Sequence, residues 1–520
     1  MKSSKLKVLI IASLTIFSCS EEFLDRPPED SFSVTDFYRT NAEVESATIA
    51  LYLRPWYDFI TSASWPIGEL ASGNAFTFDG RNADFVNFAV NGNHENIDKA
   101  WNSLYAVVAQ SNAVINTLPD AVSSTVDEEV VNNALGEARM IRAVAYFYLV
   151  RIFGAIPIID NNFEAVQELG LRRNPVSDVY TFIIRDLQFA IENCYDTPRS
   201  TTNYEQNERV TSGSAKAMLA KVYLYQQNYT EAYRLADEVI SAGSFKLYGG
   251  DAEDGDSNGS YYRLFMLAND NNPESIFSLQ WGASGNYAEG NGLQSFFAQS
   301  GLTGFTDGFS SAGPSIDLQE AYEDTANDVR FYSTIQSPGN FYPDVNGGFT
   351  VPTTIDVQRT NAGIKKYVIG ESNGSPLNYP NNTYIMRYAD LLLIHAEAAI
   401  MGGGDLASGV TSFNKVRRRA GLPDIANPSM DDVFQERRIE LAFEFEFWYD
   451  VVRRHGVAGF DAINFLSNTE RGTYFQNNPP ILISQNYTAS EEDLTFPYPV
   501  TELQDNPDLS EEPVPFDFGN

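Results

Sequence analysis

One stretch of this chain restricts its fold more than any other: "TSGSAKAMLAKVYLYQQNYTEAYRLADEVISAG", residues 211–243. Ala215, Met218, Leu219, Val222 and Tyr223 make one apolar stripe at helical spacing; after a turn at Gln227–Asn228, Ala232, Leu235, Ala236, Val239 and Ile240 make another. Two short amphipathic helices in a unit of this length match the tetratricopeptide period of about 34 residues. A second pair follows at 382–423, with Ile385, Tyr388, Leu392, Ala396 and Ala399 on its first helix, a break at Gly402–Gly404, and Leu406, Val410 and Phe413 on its second. Helices this short cannot bury their apolar faces alone, so they are expected to stack into a right-handed helical scaffold. The fold class that follows is mostly α, a superhelix of tetratricopeptide-like helical pairs.

The rest of the chain divides around that scaffold. "NNALGEARMIRAVAYFYLVRIFGAIPII" carries a complete stripe of Ile141, Val144, Ala145, Tyr148, Leu149 and Ile152, with Gly154 and Pro157 placed to end the helix. Helices are also expected over 36–53, ended by Pro55, and over 100–118, stopped by Pro119. Residues 61–98 read as a loop dense in Gly, Asn and aromatics. Residues 244–383 are rich in Gly, Asn, Ser and Pro and carry short strands, of which "ESIFSLQW" sets Phe277, Leu279 and Trp281 on one side. A long irregular stretch that keeps its aromatics is expected to be functional, not disordered. The scaffold is therefore assigned to about 30–243 and 384–460, and a loop-rich region to about 244–383 plus the 61–98 loop.

Charge and leader set the partners. With 69 acids against 35 bases the net charge is −34, which excludes a nucleic-acid surface, since that needs a basic face. Lys2, Lys5 and Lys7 precede an apolar run at 8–17, too short to span a bilayer. Ser18 and Cys19 follow, with Ile16 at −3 and Phe17 at −2. The pattern resembles a bacterial lipobox, Phe17 being a departure from it; residues 1–18 are then a signal peptide and Cys19 the lipidated N-terminus of a mature chain at 19–520. Two or three acyl chains would hold such a protein firmly in the membrane. Glu21 and Glu22 resemble the export signal of surface lipoproteins in the Bacteroidetes, which implies an outer-membrane, outward-facing location. The other cysteine, Cys194, closes an apolar stripe of Val179, Phe182, Ile183, Leu187, Ala190 and Ile191 and reads as a buried hydrophobe.

Six blocks together resemble the SusD/RagB family of outer-membrane nutrient-binding lipoproteins: "FLDRPPEDSF", "EARMIRAVAYFYLVRIFGAIPII", "AKAMLAKVYLYQQNYTEAYRLADEVI", "YIMRYADLLLIHAEA", "FNKVRRRAGLP" and "FQERRIELAFEFEFWYDVVRRHG". The end, "FPYPVTELQDNPDLSEEP", lacks the family's Gln-Asn-Pro close. The resemblance implies a superhelix of four tetratricopeptide-like pairs with an irregular region carrying the ligand site. It implies a partner, a SusC-like TonB-dependent outer-membrane transporter on which the lipoprotein sits as a lid. It also implies a cargo, usually oligosaccharide and in some members peptide or protein-linked sugar.

Sugars offer C–H faces to flat rings and hydroxyl edges to Asp, Asn, Gln and Arg. The family's aromatic platform comes from two regions, which here hold Trp65 in "SASWPIGEL" and Trp281 in "LQWGASGNYAEGNG"; beside them Tyr287, Asn286, Asp79 and Arg81 are further candidates. Trp101 and Trp448 sit in helical patterns and read as core, whereas Trp56 fits either role. "DGDSNGS" begins like a calcium loop, with Asp254, Asp256 and Asn258 as ligands of a structural calcium, but position twelve is Phe265, so it is not a complete EF-hand. No other cofactor is implied. Glu440, Glu444 and Glu446 suggest a glycosidase pair, yet helix ion pairs with Arg437 explain them more simply, and no enzyme is expected. "KVRRRAG" reads as a solvated helix end and His395 as a packed residue. The acidic net charge favours a neutral glycan, and a Lys-poor acidic chain suggests a marine β-glucan such as laminarin. The alternative is a peptide- or glycoprotein-binding member, or an interaction scaffold that binds no glycan.

Overall fold

The computed structural model describes residues 37–77, 79–165, 170–196, 208–248, 260–282, 286–298, 308–352, 362–370, 377–475 and 481–519. Cys19 and the Asp254, Asp256 and Asn258 triplet lie outside the described residues.

Helices dominate. The main ones are α1 (Glu95–Ala121), α2 (Glu128–Phe153), α3 (Val176–Asn193), α4 (Ser212–Tyr225) and α5 (Tyr229–Ala242). After the irregular region come α6 (Tyr388–Ile400), α7 (Leu406–Arg419), α8 (Met430–Glu440) and α9 (Phe447–Arg454). From α1 to α5 each packs on its sequence neighbour, and α6 then lies against α5 and pairs with α7. The chain thus leaves the array after α5 and rejoins it at α6, which packs on both α5 and α4. Among the described residues no helix is long and apolar enough to cross a membrane.

Local chemistry explains the boundaries. Thr211 accepts from the Ser214 amide at the start of α4, and Asn228 accepts from the Glu231 amide at the start of α5, so each helix of the pair has its own cap. Gly243 ends α5 in the left-handed conformation and Gly154 ends α2 at φ +74. Cys194 is buried at the end of α3, and a Cβ at Gly136 of α2 would lie 2.6 Å from its sulfur, so small size holds these helices close.

Several boundaries differ from the sequence expectation. α1 runs through Pro119 to Ala121, because a proline in the last turn disturbs little of the helix behind it. The helix expected over 36–53 is the seven-residue Asn41–Ala47 followed by a 3₁₀ turn at Ile49–Tyr52. Ile385 belongs to a strand, and α6 begins only at Tyr388. In α7, Leu406 is exposed and Val410 half-buried, while Phe413 is buried as expected, together with Gly409, Ser412 and Val416. A Cβ at Gly409 would sit 2.3 Å from that of Ala399, so the helix pair closes on glycine, not on a leucine stripe.

The largest correction concerns 61–98. Residues 57–70 are helical almost throughout, with two π-helical stretches at Phe59–Ala63 and Pro66–Leu70. The wide turns bury Phe59, Ile60, Ile67 and Leu70 together, which a 3.6-residue pattern does not anticipate.

The irregular region is tied to the scaffold by one antiparallel ribbon, β1 (Ser275–Leu279) with β2 (Thr383–Arg387). Every residue of both strands is buried, so the expected strand at 274–281 is present but covered on both faces. The C-terminal segment returns along the first helices: the Val514 amide donates to the Arg173 carbonyl, and the Phe516 amide to the Asp178 carboxylate.

Candidate functional site

The helical segment from Tyr57 to Leu70 and the turn at 286–290 form the site between them. The turn is pinned at both ends. The Gly282 amide donates to the Glu289 carbonyl at 2.6 Å, and the Asn378 side-chain amide donates to the Asn286 carbonyl at 2.8 Å. Gly290 sits so close to Asn378 that a Cβ there would lie 2.2 Å from its amide oxygen. This clamp presents Tyr287, whose side chain stays 71% exposed.

Beneath Tyr287 lies Tyr57, edge-on at 4.9 Å between ring centroids, and beneath Tyr57 lies Trp281 at 6.4 Å. The Tyr287 hydroxyl donates to Asp58 at 3.1 Å, and the Tyr57 hydroxyl donates to the Leu377 carbonyl at 3.2 Å. Around this column, the Asn286 amide donates to Glu289 at 3.2 Å, and Arg54 reaches the same carboxylate at 3.6 Å. Burial, then the neighbouring Tyr287 and Asp58, pushes the Tyr57 phenol up to about 12. Burial and the Asp58 charge raise Tyr287 as well. Both rings are therefore neutral hydrogen-bonding groups at ordinary pH. The result is a supported, exposed ring face rimmed by a carboxylate, an amide and a guanidinium.

The two tryptophans expected as the platform are covered. Trp65 is 1% exposed; its indole N–H donates to the Thr61 carbonyl and its ring packs on Phe296 and Phe297. Trp281 is 7% exposed, with its indole N–H on the Thr383 hydroxyl. A ring without an open face cannot stack on a sugar, so in this structure both are supports and not platforms. Each nevertheless backs a more exposed ring: Trp281 through Tyr57 to Tyr287, and Trp65 through Phe296 to Phe309, which is 41% exposed. Trp56, Trp101 and Trp448 are core. Tyr57 and Trp65 are eight residues apart on one helical segment, at most about 12 Å of helix axis.

Asp79 and Arg81 are satisfied by each other. The guanidinium binds both carboxylate oxygens, at 3.0 and 2.7 Å, and that bonding lowers the Asp79 pKa and raises that of Arg81. Thr77, which accepts from the Asp79 amide, also donates to the Ser311 carbonyl. This joins the pair to the Phe296–Phe309 side of the site, not to Tyr287.

Tyr57, Asp58 and Phe309 were not anticipated. "PWYDF" carries a signal for the first two, two aromatics and an acid directly after a proline. Phe309 stands in "DGFSSAG" with nothing around it to suggest burial or exposure.

The acids that suggested catalysis lie elsewhere, deep in the core. Glu440 accepts from Arg387 at 2.8 Å, from Arg330 at 3.1 Å and from Arg419. Glu444 holds Lys366 and Arg387, and Glu446 holds Arg151 and Lys221. Arg437 binds Asp390 and Asp450 instead. These are ion pairs, as expected, but between distant elements and not along one helix. Arg419, expected in solvent, is 1% exposed inside the cluster. Each of these carboxylates is buried and tied to cations, which is no arrangement for proton transfer to a substrate. His395 is fully buried against Ser412 and Tyr233. Among the described residues no cluster of His, Cys, Asp or Glu could hold a metal.

Comparison with known proteins agrees with the helical pattern. Residues 22–224 match the family model described as starch-binding associating with outer membrane, and residues 273–514 match that of the SusD family. A SusD-like protein of Bacteroides ovatus is 32% identical, over 99% of this chain and 98% of its own. A crystal structure with xylogluco-oligosaccharide shares 31% identity and a TM-score of 0.79, covering 92% of this chain and all of that one. A laminarin-binding SusD-like protein shares 27% identity at a TM-score of 0.70, over 90% of this chain and 98% of its own.

Proposed function

This chain belongs to the SusD family, and we propose that it is a surface lipoprotein that captures an oligo- or polysaccharide and delivers it to a SusC-like TonB-dependent transporter. The observation that carries the glycan reading is the exposed Tyr287 ring, supported by Tyr57 and Trp281 and rimmed by Asp58, Asn286 and Glu289. The ring offers a face to sugar C–H groups, and the rim bonds hydroxyls. Such an open edge suits weak, reversible capture, which a carrier needs in order to release its cargo.

A neutral glycan fits better than an anionic one, because a chain of net charge −34 repels anionic polymers. The relatives solved with xylogluco-oligosaccharide or described as laminarin-binding support a neutral glucan, and laminarin is the specific candidate. The lipid anchor at Cys19 and the outward-facing location at the outer membrane belong to the same proposal. So does a structural calcium at Asp254, Asp256 and Asn258, which a chelator should reveal as a lowered unfolding midpoint.

Affinity electrophoresis and calorimetry against laminarin, xyloglucan oligosaccharide and alginate test the reading. At least one neutral glycan should bind and alginate should not. Tyr287→Ala should weaken binding about tenfold or more, a loss of about 1.4 kcal/mol, with an unchanged unfolding midpoint. If no neutral glycan binds, the glycan reading is wrong. Cys19→Ala should move the protein from the membrane to the soluble fraction; persistence in the membrane would refute the anchor.

A further inference from the structure

The Tyr287 edge carries an ion pair at its rim. The Arg54 guanidinium stands 3.6 Å from the Glu289 carboxylate, with the two side chains 59% and 29% exposed. Solvent, and so a ligand, reaches both. We infer that this pair sets the selectivity of the edge: Glu289 neutralises Arg54 and thereby denies acidic sugars the cation that would hold their carboxylate. The inference rests on the glycan-binding reading above and adds the residue that decides between neutral and acidic cargo.

Both members are fixed at the backbone and open at the tip. Arg54 begins the 3₁₀ turn Arg54–Trp56, whose Pro55 and Trp56 are buried, and its carbonyl accepts from the Tyr57 amide. Residues three apart in such a turn project from the same side, so Arg54 lies beside Tyr57, the ring under Tyr287. The Glu289 carbonyl accepts from the Gly282 amide at 2.6 Å, and the Glu289 amide donates to the Asn286 carbonyl at 3.3 Å. Its carboxylate also accepts from the Asn286 side chain at 3.2 Å. The turn that presents Tyr287 therefore also carries the acid to the guanidinium. At 3.6 Å the contact is an ion pair and not a hydrogen bond. The charge of Arg54 is balanced while its N–H groups stay available to sugar hydroxyls.

The net charge of −34 repels an acidic polymer at a distance. Beyond about 8 Å that repulsion is largely screened at physiological salt, so at contact the choice falls to the rim. A uronate there meets two carboxylates, Asp58 and Glu289. The group that would bind it through two parallel N–H bonds, the Arg54 guanidinium, is already balanced. A neutral sugar uses the same rim through hydroxyls that accept from Arg54 and donate to the acids. Removing the Glu289 charge alters the net charge by one unit in 34, yet turns the rim from two acids and one base to one of each. Asp58, four residues after Arg54, is the other acid within reach of a freed guanidinium.

Calorimetry on the full mature chain tests this with two neutral probes, laminarihexaose and a xyloglucan heptasaccharide, and two acidic ones, 6-carboxylated laminarihexaose and hexamannuronate. Wild type should bind a neutral probe and neither acidic one. Glu289→Gln keeps the side-chain size and an acceptor for Asn286, so its unfolding midpoint should not move. Its neutral affinity should fall about two- to threefold, as a charged acceptor becomes a neutral one. Its acidic-to-neutral affinity ratio should rise about tenfold or more, and the rise should shrink as sodium chloride goes from about 50 to about 500 mM. Adding Arg54→Gln should remove it. The inference is overturned if wild type binds an acidic probe as well as a neutral one, if Glu289→Gln leaves the ratio unchanged, or if the rise survives high salt or the loss of Arg54. A rise from Asp58→Asn and not from Glu289→Gln would give the role to Asp58 and overturn it equally. If wild type binds neither neutral probe nor the polysaccharides above, it is the glycan-binding reading that falls, while the acidic probes still report whether Glu289 restrains Arg54.

Discussion

Glu440 and Asp58 are both carboxylates set beside aromatic rings, and the molecule uses them in opposite ways. Glu440 is fully buried, with guanidinium groups from Arg330, Arg387 and Arg419 converging on it from three separate elements. Asp58 stands at the surface, where its described partner is the exposed Tyr287 hydroxyl. The interior cluster locks the irregular region to α7 and α8, since Arg387 ends β2 and Glu274 precedes β1. The edge leaves hydrogen-bonding capacity open to an incoming molecule. Acid content alone does not separate the two; the number of cations delivered by other elements does. The tryptophans and tyrosines divide in the same way, with Trp65 and Trp281 in the interior set and Tyr287 at the edge.

The comparison breaks most visibly in the interior. Glu440→Ala strands three buried cations, and denaturant unfolding should show a loss of about 3–5 kcal/mol or no folded protein. An unchanged midpoint would mean that the cluster does not hold the irregular region. Trp65→Ala should cost a similar 3–5 kcal/mol, because it empties a packed core site. A stable Trp65→Ala protein with selectively lost binding would restore Trp65 as a platform.

Glu69 sharpens the comparison through pH. It is 1% exposed, accepts from the Asn74 side chain and the Phe445 amide, and is pushed up to about 7 by burial despite Lys366 and Arg438 nearby. Its folded pKa lies above its unfolded one, so the native state holds a proton that the unfolded state releases. The associated stability is complete below the ordinary carboxylate range and is lost as pH rises through about 7. Melting curves should therefore favour Glu69→Gln over wild type increasingly from pH 5 to pH 8, by roughly 2–3 kcal/mol in all. A constant offset would show that Glu69 is ionised throughout. The smallest effect belongs to the edge: Tyr287→Phe keeps the ring, so glycan affinity should change less than about threefold. A larger loss would mean that the hydroxyl, not the ring face, makes the contact.

The helix pairs were legible because their information is local. An amphipathic stripe, a cap and a breaking glycine all act within a few residues, so α2, α4 and α5 lie where their spacing placed them. The 59–70 segment was not legible, because π turns follow from how Phe59, Ile67 and Leu70 pack and not from their spacing. "AFEFEF" was misleading for the same reason. Phe443 and Phe445 take left-handed φ of +61 and +68, a conformation that costs about 1–2 kcal/mol per residue. The strain is offset because that backbone aims Glu444 and Glu446 at buried cations and turns the Phe445 amide toward Glu69. In the candidate site, Tyr287 stands among the residues singled out from the sequence, but that Trp65 and Trp281 are covered does not follow from the sequence. "SASWPIGEL" and the turn after "LQW" both border the site, yet which aromatic is covered depends on neighbours such as Tyr57, Phe296 and Thr383, drawn from distant parts of the chain.

By itself the sequence determined the helical class, the family blocks and an acidic character, since periodicity, order and charge are summed along the chain. Only the tertiary structure decided which acids are structural, which rings are open, and that Tyr287 is the ring presented to solvent. Burial is a property of the assembled neighbours, and those neighbours come together only once the chain has folded.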